Sequence, residues 1–372
     1  MLKMETMSLL HDPDSHLYAK LSAELASKSI VNKETDRIVV VGMGHVGSQI
    51  AYLLAENGVA SEIVLINRNH EKAKAEALDI QHANPLFKHP VKIRAGDYRD
   101  VTDAKGVIIT AGIAGGAKKA EVIEGDSKKI ESKGRIIFAK PNVNIMREIA
   151  YDMKPHIKKN TTCKFIIVSN PVDVMTYAFI QYVKSKGVSY EQVMGTGTML
   201  ETSRLTTLLA AKLKVSPKDI TAIALGEHGK TAMIPWSRAN VKGIFADNLL
   251  SAKTKEDIKK ALLSAASDIS TAKGFTSYAI ATVTRELCED MFKGAEGLGR
   301  VRTVSVLNPE LKKEKGFQDI AACLSFPCRI GPAGIERIYK LDLTKEEKEQ
   351  FTNSAITVSD FTKEAMAEYP PL

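Results

Sequence analysis

His228 has a sequence setting that suits chemistry better than packing. The apolar run AIALG ends in GEHG, which places His228 between Gly226 and Gly229. An imidazole changes its charge near neutral pH and can exchange a proton with a substrate, whereas an isolated histidine is more often a satisfied core residue. Because glycine permits tight turns, the flanking residues favour a turn that presents the ring to a cleft. His228 is therefore a candidate for acid–base chemistry.

A second pattern, Gly42, Gly44 and Gly47 in VVVGMGHVGSQIA, has the spacing GxGxxG. It follows a β-branched run and opens a segment of helical spacing. In that context the glycines let a pyrophosphate approach the backbone at the positive end of a helix, although a tight turn without a ligand is the alternative. The dinucleotide contacts predicted here are Gly42, Met43, Gly44, His45, Val46 and Gly47.

The end of the next strand candidate bears on the choice of dinucleotide. An acidic residue is expected about 20 residues after the glycines, where it binds the ribose hydroxyls. This chain has Asn67 there, followed by Arg68. Asn67 can bond a hydroxyl but carries no charge to repel a 2′-phosphate, and Arg68 either attracts that phosphate or is an exposed cation beside a loop. The sequence predicts NAD as the cofactor and leaves NADP open.

These residues need a framework that brings them together, and the apolar pattern indicates one. Strand candidates alternate with segments of helical period, which predicts an α/β fold with a Rossmann-type, doubly wound parallel sheet, at least for the first half of the chain. The strand candidates are RIVVVG, SEIVLIN, GVIITAG, KFIIVSNP and ITAIALG. The second half adds the hairpin-like stretches RTVSVL and FPCRIGPAGIERIYKL and an amphipathic helix near Lys345–Ala367, which indicate a second, α+β catalytic domain.

The length of 372 residues favours two domains, since single cores usually stop growing near about 250–300 residues. We expect an N-terminal extension at 1–36, a dinucleotide-binding domain at 37–180 and a substrate domain at 181–372. The extension contains a helix-like stretch, SHLYAKLSAELASKSI, which either packs on a partner subunit or frays.

The composition argues against several classes of protein. No apolar stretch approaches the roughly 18 residues of a membrane span. The net charge of +8 is spread along the chain among acidic residues, which is typical of a solvated surface that attracts small anions and not of a nucleic-acid site. The spacing of the four cysteines fits neither a zinc site nor a disulfide framework, so we expect buried thiols and no metal. The N-terminus lacks the apolar core of a signal peptide, and we expect a cytoplasmic protein.

Several separated segments resemble the L-lactate/L-malate dehydrogenase family, and its lactate branch in particular. Besides the glycine turn they are EALDIQHA, IVSNPVDVMTY, GTGTMLETSR, LGEHGKTAMIPWS and KGFTSYAI, in the order that the family has them. The resemblance implies hydride transfer between NAD(H) and a small L-2-hydroxy acid or 2-oxo acid, with L-lactate and pyruvate favoured. Malate dehydrogenase, a dehydrogenase of bulkier 2-hydroxy acids and a non-catalytic dinucleotide-binding protein are the alternatives.

The resemblance also implies roles for the polar residues of these segments. His228 matches the catalytic histidine, and Glu201 matches the aspartate that orients it, one methylene longer here. Arg204 matches the residue that binds the substrate carboxylate through two parallel hydrogen bonds. The alternative is a surface ion pair between Glu201 and Arg204, one helical turn apart. Asn170 matches a residue that bonds the reacting oxygen, and Thr276 one that lines the substrate pocket. Further cofactor contacts are implied at Thr110, Ala111, Gly112, Asn142, Val168 and Asn170.

Residues 113–141 match the mobile lid of the family and carry an insertion on the order of a dozen residues, a length that is more often functional than idle. Counting back from NVNI, Arg135 matches the lid arginine that polarises the substrate carbonyl; a solvated helix-face arginine is the alternative. The insertion prevents assignment of the residue that selects the substrate's side group. Its candidates are Lys118, Lys119, Lys128 and Lys129.

Two further expectations follow from the resemblance. Bacterial relatives that are activated by a sugar bisphosphate use an arginine and a histidine at the subunit interface. The matching positions here are Thr206 and Thr221, which lack the charge to hold a phosphate, so we expect no such activation. The protein is expected to be a homo-oligomer, a tetramer in preference to a dimer, that binds a small 2-oxo or 2-hydroxy acid.

Overall fold

Runs of β-branched and aliphatic residues form the strands of a nine-stranded sheet with the order β12-β11-β10-β6-β5-β4-β1-β2-β3. The computed structural model describes residues 36–113, 138–159, 161–293 and 299–371. The predicted extension apart from Asp36, most of the predicted lid, Arg135 and the four lid lysines lie outside these ranges. The strands of the sheet are β1 (Arg37–Val41), β2 (Glu62–Ile66), β3 (Lys92–Ala95), β4 (Gly106–Ile109), β5 (Lys164–Ile167), β6 (Val193–Gly195), β10 (Arg300–Val306), β11 (Leu324–Gly331) and β12 (Gly334–Ile338).

The six strands β1 to β6 pair in parallel, and β10, β11 and β12 continue the sheet in antiparallel pairs. A second, antiparallel sheet consists of β7 (Ile220–Thr221), β8 (Asn240–Val241) and β9 (Ile244–Phe245). The described helices are α1 (His45–Glu56), α2 (His70–Ala83), α3 (Ala139–Met153), α4 (Val172–Val183), α5 (Met199–Leu213), α6 (Ala246–Leu249), α7 (Ala252–Lys273), α8 (Tyr278–Phe292) and α9 (Lys345–Ala367).

Both faces of the parallel sheet are covered, which is why its strands read as continuous apolar runs. Ile38 and Val40 of β1 pack with residues of α1, α2 and α8 on one face. Val39 and Val41 point to the opposite face, where α3, α4 and the end of α9 contribute to the core. A separate apolar cluster joins α5 to α7 and the small sheet.

The predicted fold class is confirmed, with corrections to individual strands. The strands predicted in RIVVVG, SEIVLIN, GVIITAG and KFIIVSNP, the hairpin-like stretches and the helix Lys345–Ala367 are all present. The strand candidate ITAIALG does not form a single strand: Ile220–Thr221 belongs to the small sheet, and Leu225 and Gly226 make isolated bridges to Met233 and Ser325. The short strands β3 and β6 were missed because four and three residues carry little periodic signal.

Two observations bear on the class of protein. Within the described ranges, no helix is long and apolar enough to cross a membrane. All four cysteines are buried as free thiols, as the sequence predicted. The domain limits at 36, 180 and 372 stay predictions, and the main sheet itself runs on from β6 into β10, β11 and β12.

Candidate active site

The candidate residues collect at the carboxyl edge of the parallel strands, where open α/β sheets bind their ligands. The glycine turn follows β1, Thr110 follows β4, and Asn170 follows β5 by three residues. Glu201 lies in the first turn of α5, just beyond β6. Strand order therefore brings these segments side by side, since β1, β4, β5 and β6 are consecutive in the sheet.

The glycine turn is closely packed at two positions and open at the third. Gly42 has a φ of +102°, and a Cβ added to it would lie 2.6 Å from the Ala111 nitrogen. A Cβ on Gly47 would lie 1.9 Å from the Gly42 oxygen, whereas one on Gly44 would meet nothing within 4 Å. Gly44 precedes α1, whose first amide groups are available to an anion. The turn thus fits the pyrophosphate of a dinucleotide, with Gly44 at the open face.

Asn67 braces this turn through both ends of its amide. Its Oδ1 accepts a hydrogen bond from the Met43 N–H at 3.1 Å, and its Nδ2 donates to the Asn69 oxygen at 3.0 Å. An aspartate could make only the first of these bonds, because a carboxylate has no donor. Asn67 is therefore suited to hold the turn in shape, and Arg68 beside it is exposed.

A chain of short contacts connects the glycine turn with Asn170. Thr110 Oγ1 donates to the Gly42 oxygen at 2.7 Å, and Ser169 Oγ donates to the Ala111 oxygen at 2.6 Å. Buried Asn142 accepts from the Ile113 N–H at 2.6 Å and donates to the Asn170 oxygen at 2.7 Å. Asn142, predicted as a cofactor contact, thus ties the start of the lid segment to Asn170. Gly112 lies against it, and Val168 is buried at the end of β5.

Thr276 lies in a segment that reaches the glycine turn through its neighbour. The rings of Phe275 and His45 stack with centroids 3.7 Å apart, so the loop before α8 lies against the start of α1. Thr276 is half-buried, and the adjacent Ser277 hydroxyl is buried with no hydrogen-bond partner among the described residues. These contacts place Thr276 close to the dinucleotide turn.

His228, Glu201 and Arg204 form one polar group. Glu201 Oε2 lies 2.8 Å from His228 Nδ1, and Glu201 Oε1 lies 3.2 Å from the Arg204 guanidinium. Their side chains are 7%, 8% and 16% exposed for His228, Glu201 and Arg204, so the Glu–Arg pair is not the surface pair that the sequence left as an alternative. A single carboxylate therefore contacts both the imidazole and the guanidinium.

The first turn of α5 holds this group against the His228 segment. Thr198 Oγ1 donates to the Ala224 oxygen at 2.5 Å, and Thr202 Oγ1 accepts from the Ala224 N–H at 3.0 Å. The C=O and the N–H of Ala224 are thus both bound by threonines that lie on either side of Glu201 in the sequence. The distance between Glu201 and His228 is set by backbone contacts as well as by their own hydrogen bond.

The electrostatics favour an ionised Glu201. Burial alone would raise the pKa of Glu201, but the charges of His228 and Arg204 and the bond to His228 lower it below its ordinary value. An ionised Glu201 accepts the Nδ1 proton of His228 and fixes the ring tautomer. Nε2 is then the nitrogen that can exchange a proton with a ligand, and a protonated ring is stabilised by the carboxylate.

The sequence did not identify the residues outside the GEHG motif that hold the His228 turn, which are Asp173, Ser354 and Thr231. The His228 N–H donates to Oδ2 of buried Asp173 at 2.7 Å, and the Glu227 N–H donates to Ser354 Oγ at 2.8 Å. Glu227 Oε2 accepts from the Thr231 N–H at 2.8 Å and closes the turn. Gly226 is required here, since its φ is +80° and an added Cβ would lie 2.6 Å from Ser354 Oγ. The one sequence signal was a carboxylate in the otherwise apolar stretch NPVDVMTY.

Arg135 lies outside the described residues, so the part of the site that it was predicted to supply is not described. Within the described part of the chain, no group of three or more histidine, cysteine, aspartate or glutamate side chains is arranged to hold a metal ion. The described site holds an imidazole and a guanidinium on one carboxylate, a combination that can exchange a proton and bind an anion.

A Rossmann-type sheet with a dinucleotide turn, and a histidine held by a carboxylate, is the arrangement expected of a nicotinamide-dependent dehydrogenase. The chain belongs to the lactate/malate dehydrogenase family. Residues 36–195 match its NAD-binding domain, and residues 198–369 match its alpha/beta C-terminal domain.

Relatives and solved structures agree with this membership. The chain is 34% identical over 339 residues to the L-lactate dehydrogenase of Acetivibrio thermocellus, covering 89% of this chain and 98% of the relative. It is 35% identical over 336 residues to that of a Thermoanaerobacter species, with coverages of 88% and 99%. The fold is similar to that of a minor L-lactate dehydrogenase from Enterococcus mundtii, with a TM-score of 0.77, 28% identity and coverages of 89% and 99%. A lactate dehydrogenase from a Medee basin deep-sea metagenome library gives a TM-score of 0.76 at 28% identity, with coverages of 90% and 99%.

Proposed function

We propose that the protein is an NAD-dependent L-lactate dehydrogenase that interconverts L-lactate and pyruvate. The observation that carries the proposal is the contact of one buried carboxylate, Glu201, with both His228 and Arg204. The relatives named above are L-lactate dehydrogenases, which supports pyruvate over oxaloacetate and over bulkier 2-oxo acids. An acid–base group and a carboxylate clamp are what a 2-hydroxy acid requires, since its hydroxyl proton and its carboxylate must both be bound.

Arg204 binds the substrate carboxylate. A guanidinium presents two parallel N–H groups that match the two carboxylate oxygens, which fixes the substrate's orientation as well as its position. The contact with Glu201 holds the guanidinium beside His228 before substrate arrives. Asn170 and Arg135 bond the reacting oxygen, and Thr276 lines the pocket around the substrate's methyl group.

His228 moves the proton. In pyruvate reduction its imidazolium gives the Nε2 proton to the carbonyl oxygen, and in lactate oxidation the neutral ring takes the hydroxyl proton. Glu201 stabilises the imidazolium in both directions. A nicotinamide cofactor, when bound at this site, would supply the hydride for pyruvate reduction or accept it from lactate.

The turn from Gly42 to Gly47 would hold the dinucleotide, since Gly44 and the first turn of α1 leave space and backbone N–H groups for its pyrophosphate. We propose NAD(H) as the physiological cofactor because the matched domain is an NAD-binding domain. Arg68 is exposed beside Asn67, so NADP(H) is included as a comparison.

The substrate panel tests the assignment. Oxidation of NADH and of NADPH is followed at their nicotinamide absorbance with pyruvate, oxaloacetate, 2-oxoisocaproate and phenylpyruvate. We expect kcat/KM to be highest for NADH with pyruvate. A higher value for another acid would assign one of the alternative dehydrogenases, and cofactor binding without turnover on any acid would assign a non-catalytic protein.

The histidine is tested separately from cofactor binding. His228→Ala removes the acid–base group, and we expect turnover to fall by at least about 10²-fold, the usual contribution of such a group. The Kd for NADH should stay within about twofold because the glycine turn is untouched. Near-normal turnover in the variant would remove His228 from the mechanism.

We also propose a cytoplasmic homo-oligomer, a tetramer in preference to a dimer. Burial of all four cysteines as free thiols supports a reducing compartment. Light scattering of the purified protein measures the subunit number directly.

A further inference from the structure

We propose that Asp173 is a second carboxyl group acting on His228: it fixes the histidine's backbone N–H, and in its ionised form it supports the protonated ring. The inference rests on the proposed function, because it assigns a positioning role within the same site. It is independent of the roles of Glu201 and Arg204, since Asp173 reaches His228 through the backbone and not through the ring.

The geometry gives Asp173 two bonds from two different parts of the chain. Its Oδ2 accepts the His228 N–H at 2.7 Å, and its Oδ1 accepts the Ser305 hydroxyl at 2.5 Å. Ser305 lies in β10 and is fully buried, so it provides a rigid support for the carboxylate. Asp173 itself is 3% exposed. The two bonds are shielded from bulk solvent, and they connect the His228 turn with β10.

The position of Asp173 on α4 connects His228 with the residue proposed to bond the reacting oxygen. Asp173 lies in the first turn of α4, three residues after Asn170. A carboxylate at this end of a helix is favoured by the helix dipole. The same short segment therefore carries both Asn170 and the carboxyl group that fixes the backbone of the proposed base, His228.

A buried carboxylate is an expensive way to hold a backbone N–H, which favours a functional reason for it. Burial raises the pKa of Asp173 to about 7, even though the Ser305 hydroxyl, the His228 N–H and the His228 charge all lower it. The titratable groups that face it are His228, Glu227 and the thiol of Cys323. Because the folded-state pKa lies above the unfolded one, the ionised form destabilises the fold, and this cost grows as the pH rises from about 4 to about 7.

If Asp173 had only a structural role, the substitution Asp173→Asn would lower neither the stability nor the activity of the protein. The amide oxygen of asparagine still accepts the His228 N–H, and no charge is buried. The stability and the activity of Asp173→Asn should therefore move in opposite directions. A loss of activity without a loss of stability would show that the charge of Asp173 is needed, whereas a residue that only packs would give no loss of activity.

The test compares Asp173→Asn with the wild type and with Asp360→Asn, the same substitution at an exposed position of α9. We expect kcat for pyruvate reduction to fall about tenfold in Asp173→Asn, within the range that small misplacements of a base produce. The KM for pyruvate and the Kd for NADH should stay within about twofold, and the Tm at pH 8 should be equal to or above that of the wild type. Asp360→Asn should behave as the wild type does.

A second measurement does not depend on turnover. The titration of the His228 ring, followed by NMR and assigned with His228→Gln, should move to lower pH in Asp173→Asn because a nearby negative charge has been removed. Ser305→Ala keeps the carboxylate but removes its hydroxyl donor, and we expect a smaller shift in the same direction. If Asp173→Asn does not fold, Ser305→Ala carries the test with the same measurements.

Unchanged kcat and an unchanged ring titration in Asp173→Asn would overturn the inference, and so would a lower Tm with a parallel loss of NADH binding. If the wild type turns over no 2-oxo acid, the proposed function fails. The ring titration still decides the role of Asp173 in that case.

Discussion

Glu201 is the residue at which the two functional side chains of the site meet. The family resemblance implies an aspartate here, and the extra methylene of glutamate lets one carboxylate contact His228 Nδ1 and the Arg204 guanidinium together. Both partners favour its ionised form, which lowers the pKa of Glu201 against the effect of burial. The longer side chain is therefore part of how this site is built.

Glu201→Asp tests that interpretation. The shortened carboxylate retreats by about 1.5 Å, the length of one C–C bond, from a backbone that Thr198 and Thr202 hold in place. We expect kcat/KM for pyruvate to fall by about tenfold to 10²-fold, because the histidine and the arginine lose their common partner. Glu201→Gln, which keeps the length but removes the charge, is the matched control and should lose at least as much. A gain of activity in Glu201→Asp would show that the aspartate geometry suits this site better.

The sequence singled out the candidate residues for the chemistry but not the residues that hold them in place. His228, Glu201 and Arg204 stand in short motifs whose residue types suggest their chemistry. Asp173 and Ser354 act on backbone N–H groups that are 55 and 127 residues away in the chain. No local pattern predicts such a contact, because it depends on how α4 and α9 pack on the His228 turn.

At the scale of elements, the glycines of the β1–α1 turn are needed for two different reasons. Gly42 and Gly47 are needed for close packing of the chain on itself, and Gly44 leaves space for a ligand. The spacing GxGxxG predicted the turn, but it did not distinguish these demands. The difference appears only in what a Cβ would meet at each position. Prediction of the parallel strands from sequence is limited in the same way. Long apolar runs predicted four of them, whereas the short strands β3 and β6 are recognised only by their pairing with β2 and β5.

Gly44→Ala and Gly47→Ala should therefore differ in kind. Gly44 has a φ of −92°, which alanine adopts without strain, and the new Cβ has no protein neighbour within 4 Å. We expect the Kd for NADH to rise at least about tenfold, because the Cβ occupies the space that the pyrophosphate needs, with a loss of unfolding free energy below about 1 kcal/mol.

Gly47→Ala should instead destabilise the fold, since its Cβ would lie 1.9 Å from the Gly42 oxygen. Calorimetric titration with NADH and urea unfolding of both variants check the two expectations. Wild-type affinity for NADH in Gly44→Ala would place the pyrophosphate elsewhere.

At the scale of the whole molecule, charge is organised at both ends of the parallel sheet. The carboxyl edge carries the active-site group, and the amino edge carries a cluster around Glu62 at the start of β2. Glu62 is 2% exposed and contacts Arg37 at 2.6 Å, Arg94 at 2.9 Å and Lys92 at 3.1 Å. The two ends of a five-residue strand such as β2 are about 13 Å apart. Because of this separation, a substitution at Glu62 can change the stability of the fold in acid without altering the active-site residues.

The Glu62 cluster predicts how stability depends on acid. Burial alone would raise the pKa of Glu62, but hydrogen bonds from Arg37, Arg94 and Lys92 lower it from 4.5 to about 2. Because the folded-state value is the lower one, the contribution is complete above about pH 5 and is lost as the pH falls toward 2. Glu62→Gln should lower the free energy of unfolding by on the order of 2 kcal/mol at pH 7, after allowance for screening of the partly exposed cations.

Urea unfolding of the wild type and Glu62→Gln between pH 2.5 and 7 measures this difference, with Glu71→Gln as the control at an exposed carboxylate. The gap between the wild type and Glu62→Gln should narrow steadily below about pH 4.5, because the wild-type carboxylate is then protonated in the unfolded chain. Their kcat values at pH 7 should agree, since the cluster lies at the amino edge. A gap that is constant with pH would mean that Glu62 stabilises the sheet by packing and not by its charge.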